Sequence, residues 1–248
     1  MDDKEFSGRR GLVTGGSRGI GRAICQKLAG CGARVAINYV ANQSAAEEVC
    51  QAIGKANGSA AIYRADVSDP EQTSDMFDII EKDLGPVDLL VTNAGIARSA
   101  DNVSMTVEIW QEIMRTNLDG TFHQVWRAKD SMIKRGYGRI VCISSILGLM
   151  ANPISPTRQI AYGTSKAAIF GFVRNCAAAF GPHVRVNGVA PGFIATDLTA
   201  DITEEARESL INSTPLKRTG ETGEIAELVH FLLSDKSSFT TGQTHVAS

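Results

Sequence analysis

Tyr162 and Lys166 stand four residues apart in "AYGTSK" (161–166), a spacing that puts both side chains on one helical face. A free tyrosine titrates at about pH 10, too high for ready proton exchange at neutral pH, unless a nearby cation favours its phenolate. Lys166 can supply that cation. A serine beside the pair could donate a hydrogen bond to a carbonyl oxygen, and the tyrosine could deliver a proton to that oxygen. "GRIVCISS" (138–145) ends in two candidates, Ser144 and Ser145, which face opposite sides of a strand. Taken alone, Tyr162 and Lys166 read more readily as a surface pair on an amphipathic helix.

A second feature shifts that balance. "TGGSRGIG" (14–21) places Gly15, Gly16, Gly19 and Gly21 in a strand-to-helix turn. Glycines let a backbone turn tightly against a pyrophosphate, whose charge is met by the free N–H groups and dipole of the following helix. The spacing G-x-x-x-G-x-G departs from the generic G-x-G-x-x-G fingerprint, so its place after a strand and before a helix carries the argument.

Elements that could position these groups alternate along the chain. Val- and Ile-rich runs, "GLVTG", "ARVAIN", "AAIYRAD", "VDLLVTN", "GRIVCISS" and "VRVNGVAP", read as strands. Amphipathic stretches near 20–30, 42–56, 70–84, 104–135, 160–180 and 222–234 read as helices, with a short last strand at 244–247. The pattern predicts an α/β fold, a doubly wound Rossmann-type parallel sheet flanked by helices, with residues 1–248 as a single domain. Ligands of such sheets bind beyond the carboxyl ends of the strands, where the turn and the serines lie.

Composition excludes other classes. A formal charge of −2, from 25 Lys plus Arg against 27 Asp plus Glu, gives no global field toward nucleic acid or an anionic membrane. The charged start "MDDKEFSGRR" is unlike a signal peptide, and a cytoplasmic location is expected. Cys25, Cys31, Cys50, Cys142 and Cys176 form no C-x-x-C pair and read as reduced, buried thiols; with the four histidines scattered, no metal site is expected.

Six segments in register, "TGGSRGIG", "TNAG" (92–95), Asn117, "ISS" (143–145), "YGTSK" (162–166) and "APGFIATD" (190–197), resemble the short-chain dehydrogenase/reductase family. "GRAICQKLA" and the order around Asn117-Leu118-Asp119-Gly120 and "PLKRTGETGEIAELVHFLLSD" are similar to beta-ketoacyl-acyl-carrier-protein reductases and related ketoreductases. The resemblance implies Ser145, Tyr162 and Lys166 as the catalytic set, with Asn117 holding a water-linked proton route beside Lys166. It also implies a dinucleotide held by Gly15, Ser17, Arg18, Gly19, Ile20 and Gly21, with Asp66 and Val67 at the adenine and Asn93, Ala94 and Gly95 beside its ribose. Tyr162, Lys166, Pro191, Gly192, Ile194 and Thr196 would border the nicotinamide.

Asn38 and Tyr39 end the second predicted strand where an acidic residue would repel a 2′-phosphate, and Arg18 stands where the family often grips one; NADP is expected in preference to NAD. Asp66 reads equally as a helix-start cap.

The resemblance implies NADPH-dependent reduction of a 3-oxoacyl thioester linked to acyl carrier protein or CoA, in a homotetramer. The alternatives are an NAD(P)-dependent dehydrogenase of a sugar, steroid or other secondary alcohol, and a non-catalytic dinucleotide sensor, which would have no need of the proton donor. The apolar run from Ala167 to Val173 suits a subunit contact and a sandwiched helix equally. An acidic carrier would favour a basic mouth, for which Lys134 and Arg135, with Arg127, Lys129 and Arg139, form the densest basic stretch. Ala178, where carrier-dependent reductases often have arginine, weighs against it. The ending "TTGQTHVAS" stops where the family commonly continues through a glycine-rich tail.

Overall fold

The computed structural model describes residues 4–98, 104–151, 160–196 and 203–248. Seven parallel strands form one sheet in the order β3-β2-β1-β4-β5-β6-β7. They are β1 (Arg10–Val13), β2 (Arg34–Tyr39), β3 (Ser59–Arg64), β4 (Leu89–Thr92), β5 (Gly138–Ile143), β6 (Val184–Pro191) and β7 (Thr244–Ala247). The order reverses between β1 and β4, opening the crevice at which such sheets bind ligands.

Helices connect the strands: α1 (Gly19–Gly30), α2 (Gln43–Lys55), α3 (Pro70–Asp83), α4 (Val107–Met114), α5 (Gly120–Lys134), α6 (Ile160–Phe180), α7 (Glu204–Ser213) and α8 (Thr222–Leu233). Their ends follow local chemistry. Gly32, at φ +92°, turns the chain out of α1. Asp69 accepts the Glu71 and Gln72 N–H groups at the start of α3, with Pro70 in the first turn. The capping part weighed for Asp66 therefore belongs to Asp69.

Strands buried on both faces explain the near-continuous apolar runs. Val13, Ile37, Val91 and Val141 pack against α1, α2 and α8, whereas Leu12, Leu90, Ile140 and Val186 pack against α3, α5 and α6. Cys25, Cys142 and Cys176 are buried thiols; Cys31 and Cys50 are half-buried, short of the full burial expected of them.

One region differs from the sequence expectation. The helical stretch 104–135 is divided by a π-helical turn, Arg115–Asp119, between α4 and α5. α7 is begun by Thr203, while residues 197–202 lie outside the described residues. Among the described residues no helix is long and apolar enough to cross a membrane.

Candidate active site

The glycine turn is fixed by contacts that admit no larger side chain. Gly15 and Gly19 have φ of +61° and +53°, where a Cβ is strained. A Cβ on Gly15 would lie 3.0 Å from Ala94 Cα, and one on Gly21 would overlap the Gly15 carbonyl. The turn thus presses its backbone against the end of β4. α1 begins without a capping side chain and without an acid in its first turn, leaving its N-terminal dipole for an outside anion. This cradle fits a dinucleotide pyrophosphate.

Side chains behind the cradle hold it in place. Thr14 Oγ1 accepts the N–H groups of Asn93 and Ala94, both at 3.2 Å. Asn93 Nδ2 donates to the carbonyls of Thr14 at 2.9 Å and Gly15 at 3.1 Å. Asn38 is fully buried: its Oδ1 accepts from Gly15 N at 3.2 Å, and its Nδ2 donates to Ala65 O at 3.0 Å and Tyr63 O at 3.3 Å.

The expected cofactor contact at Asn38 is corrected to a brace between β2, β3 and the turn, because every face of its amide is occupied by protein. Tyr39 is likewise packed into the core, so Val40, 44% exposed, is the side chain that β2 presents to its open end.

At the end of β3, Asp66 Oδ1 accepts from Ser68 N at 2.9 Å and Ser68 Oγ at 2.8 Å, shaping the turn. Val67 is buried, and a Cβ on Gly120 would press on its Cγ2 at 2.9 Å. Across the crevice, Thr196 Cγ2 lies 3.6 Å from where a Gly19 Cβ would stand, so β6's loop closes on the glycine turn. Gly192 N bonds Ala247 O at 2.8 Å, and the backbone on both sides of buried Ile194 pairs with Gly220.

Ser145 and Tyr162 are hydrogen-bonded to each other, which brings the end of β5 to the first turn of α6. Burial raises the Tyr162 phenol, and the Ser145 bond opposes that rise. Lys166 is only 4% exposed, and its Nζ donates to Ile143 O at 2.9 Å, 5.8 Å from the Tyr162 ring centroid. Desolvation lowers it to about 8. Burial acts first on both groups, raising the phenol whose phenolate Lys166 is expected to favour.

Asn117 sits in the π-helical turn, fully buried. Its Oδ1 accepts Ile96 N at 2.8 Å, and its Nδ2 donates to Ile96 O and Ser165 Oγ, each at 3.0 Å. A Cβ on Gly95 would lie 3.1 Å from Asn117 Oδ1 and 3.4 Å from Lys166 Nζ, so glycine here lets both groups approach. Ser144, the rival serine, donates to Lys166 O at 2.7 Å and faces away from the phenol. Thr14 and Ser165 are the supporting residues that motif reading passes over. Their signal is their place inside "TGG" and "TSK", next to residues that were singled out.

The basic stretch lies elsewhere. Lys134 ends α5 just before the start of β5, whereas Ser145 follows the end of that strand. Arg127 pairs with Asp78 and Glu81, Arg135 with Asp88 and Arg139 with Asp235. A crossover helix runs antiparallel to its strands, so its C-terminus returns to the amino edge. The expected basic mouth is corrected accordingly.

A parallel sheet with a glycine turn after β1 and a bonded Ser–Tyr pair over a buried lysine defines a Rossmann-type oxidoreductase. The family model described as enoyl-(acyl carrier protein) reductase matches residues 15–248.

Acetoacetyl-CoA reductase of Rhizobium meliloti (strain 1021) is 41% identical over 95% of this chain and 95% of its own. The 3-oxoacyl-[acyl-carrier-protein] reductase FabG of Aquifex aeolicus (strain VF5) is 38% identical over 96% and 95%. The crystal structure of a putative gluconate dehydrogenase from Agrobacterium tumefaciens is similar at a TM-score of 0.93, with 30% identity over 100% of this chain and 96% of that one. The chain belongs to the short-chain dehydrogenase/reductase family, whose members use a nicotinamide cofactor.

Proposed function

We propose that this chain reduces the carbonyl of a 3-oxoacyl thioester to a 3-hydroxyacyl group, with NADPH in preference to NADH. The observation that carries the reading is the Ser145–Tyr162 hydrogen bond beside a desolvated Lys166. The relatives that reduce acetoacetyl-CoA and 3-oxoacyl carrier substrates supply the substrate class.

The backbone of Gly15, Ser17, Gly19, Ile20 and Gly21 would hold the pyrophosphate, and Arg18 the 2′-phosphate. Asp66 and Val67 would meet the adenine, and Asn93, Ala94 and Gly95 its ribose. Lys166 and Tyr162 would engage the nicotinamide ribose, with Pro191, Gly192, Ile194 and Thr196 around the ring. Bound NADPH supplies the hydride.

Ser145 Oγ then turns its hydrogen bond to the substrate oxygen, and Tyr162 Oη passes its proton to that oxygen. Lys166 is mostly protonated below about pH 8 and stabilises the phenolate left behind. Asn117, packed against Gly95 as Lys166 is, would serve the route by which Tyr162 regains a proton. Enoyl reduction, named in the family model's description, also develops charge on a carbonyl oxygen, so the relatives named for 3-oxoacyl and acetoacetyl reduction support the choice of carbonyl reduction.

A homotetramer formed through the outer faces of α5 and α6 is part of this reading. Phe122 and Trp126, 40% and 50% exposed and stacked at 5.1 Å, support such a contact. The test is a panel of acetoacetyl-CoA, a 3-oxoacyl carrier substrate, crotonyl-CoA, a simple ketone and gluconate with each cofactor. Turnover of the oxo thioesters with NADPH above all others is expected. Faster gluconate oxidation would favour the sugar dehydrogenase, and no turnover at all the sensor.

A further inference from the structure

We propose that Ser165 is a positioning residue that couples the Asn117 turn to the helical turn carrying Tyr162 and Lys166, an inference resting on the reductase reading above. Ser165 is fully buried. Its hydroxyl donates to Tyr162 O at 2.7 Å and accepts Asn117 Nδ2 at 3.0 Å, across 48 residues of sequence. A serine bonding the carbonyl three residues back is an ordinary event within a helix. The second bond, to another element, distinguishes this one.

The bond to Ser165 completes the donor capacity of Asn117. One amide N–H goes to Ile96 O and the other to Ser165, while Oδ1 accepts from Ile96 N. Removing the Ser165 hydroxyl leaves an N–H unpaired where water is excluded, a costly state from which the amide must turn to escape. Turning breaks its bonds to Ile96 and carries Oδ1 away from Gly95, against which Lys166 Nζ also packs.

The surrounding backbone offers little slack. A Cβ on Gly163 would stand 2.9 Å from Leu147 O, and one on Gly148 would stand 2.8 Å from Lys166 C, so the turn after Ser145 lies flush on α6. Ser144 pins the Lys166 carbonyl from the other side at 2.7 Å. Displacement of Asn117 is therefore felt at Lys166.

The titratable groups concerned are Tyr162 and Lys166 on α6 and Cys142 on β5, whose thiol burial pushes up to about 12. Arg115 and Asp119 of the π-helical turn are exposed. With the Asn117 turn displaced, the packing that holds the Lys166 ammonium at the Ile143 carbonyl loosens. The phenolate of Tyr162 then forms only at higher pH.

The experiment is the pH profile of 3-hydroxybutyryl-CoA oxidation, where Tyr162 must act as the base. Ser165→Ala is expected to lower kcat roughly tenfold and to raise the midpoint of the profile by about half a pH unit or more. The KM for NADP should stay within about twofold, because the cradle is untouched. Ser165→Thr keeps the hydroxyl and should restore the midpoint.

A purely structural serine would lower the melting temperature and leave the midpoint in place, which would overturn the proposal. An equal shift in the threonine variant would also overturn it, since the hydroxyl would then not be the cause. Should Ser165→Ala not fold, Ser165→Cys keeps the volume while weakening both bonds and must shift the same way. Inactive wild type, or an active Tyr162→Phe, would instead bring down the reductase reading itself.

Discussion

Both edges of the sheet bury charge, and they treat it in opposite ways. At the amino edge, Asp88 is fully buried and accepts Arg10 N at 3.0 Å, Arg10 Nε at 2.7 Å and Arg135 Nη1 at 2.5 Å. Arg185, 7% exposed, donates to Leu232 O at 2.9 Å and Ser234 O at 2.7 Å, closing the end of α8. Burial and the nearby Arg139 lower it to about 10. At the carboxyl edge, Lys166 is as deeply buried, yet its charge faces a carbonyl and neutral side chains. The first edge pairs Asp88 with two arginines and surrounds Arg185 with several acceptors, and so serves folding. The second leaves a cation under-compensated beside a phenol, which suits proton transfer.

Substitutions can separate these two uses of charge. The largest effect is expected at the carboxyl edge, where Tyr162→Phe should lower kcat about 10³-fold while NADPH binding, followed by fluorescence titration, is retained. Near-normal turnover would dismiss Tyr162 as the proton donor. At the amino edge, Asp88→Ala should cost about 3 kcal/mol in urea unfolding, because two arginines lose their shared carboxylate. Its kcat should barely move, and a large loss of kcat with unchanged stability would erase the contrast between the edges.

Lys166→Met should move stability the other way. The unfolded chain keeps this proton up to about pH 10.5, whereas the folded chain releases it from about 8. Stability therefore rises with pH through that window, and the penalty of the buried cation is fully present below it. Removing the charge should raise unfolding stability at pH 7 by about 2 kcal/mol, flatten the rise above pH 8 and abolish turnover. Destabilisation at pH 7 would mean that the bond to Ile143 outweighs desolvation. The smallest effect is expected from Lys134→Glu at the far edge. It should change the KM for a carrier-linked substrate by less than about twofold, and a salt-sensitive rise would restore a docking role to that surface.

Much of this arrangement is legible in the chain itself. The glycines of "TGGSRGIG" declare their turn because any Cβ at Gly15 or Gly21 meets backbone, and doubly buried strands declare themselves as apolar runs. Tyr162 and Lys166 share a face because four residues make about one helical turn. Even the correction at Lys134 and Arg135 follows from connectivity, once the helix is seen to return to the edge where β5 begins.

Other properties exist only after the chain has folded. Asn38 is a brace because β3 and the glycine turn enclose its amide. The inserted turn at Arg115–Asp119 leaves no periodic mark in a helical stretch, yet it aims Asn117 at Ile96 and Ser165. The sequence by itself determined which groups could carry chemistry and on which elements they lie, because those depend on local spacing. The tertiary structure decided their protonation and pairing, because desolvation at Tyr162 and Lys166 arises from atoms contributed by distant strands.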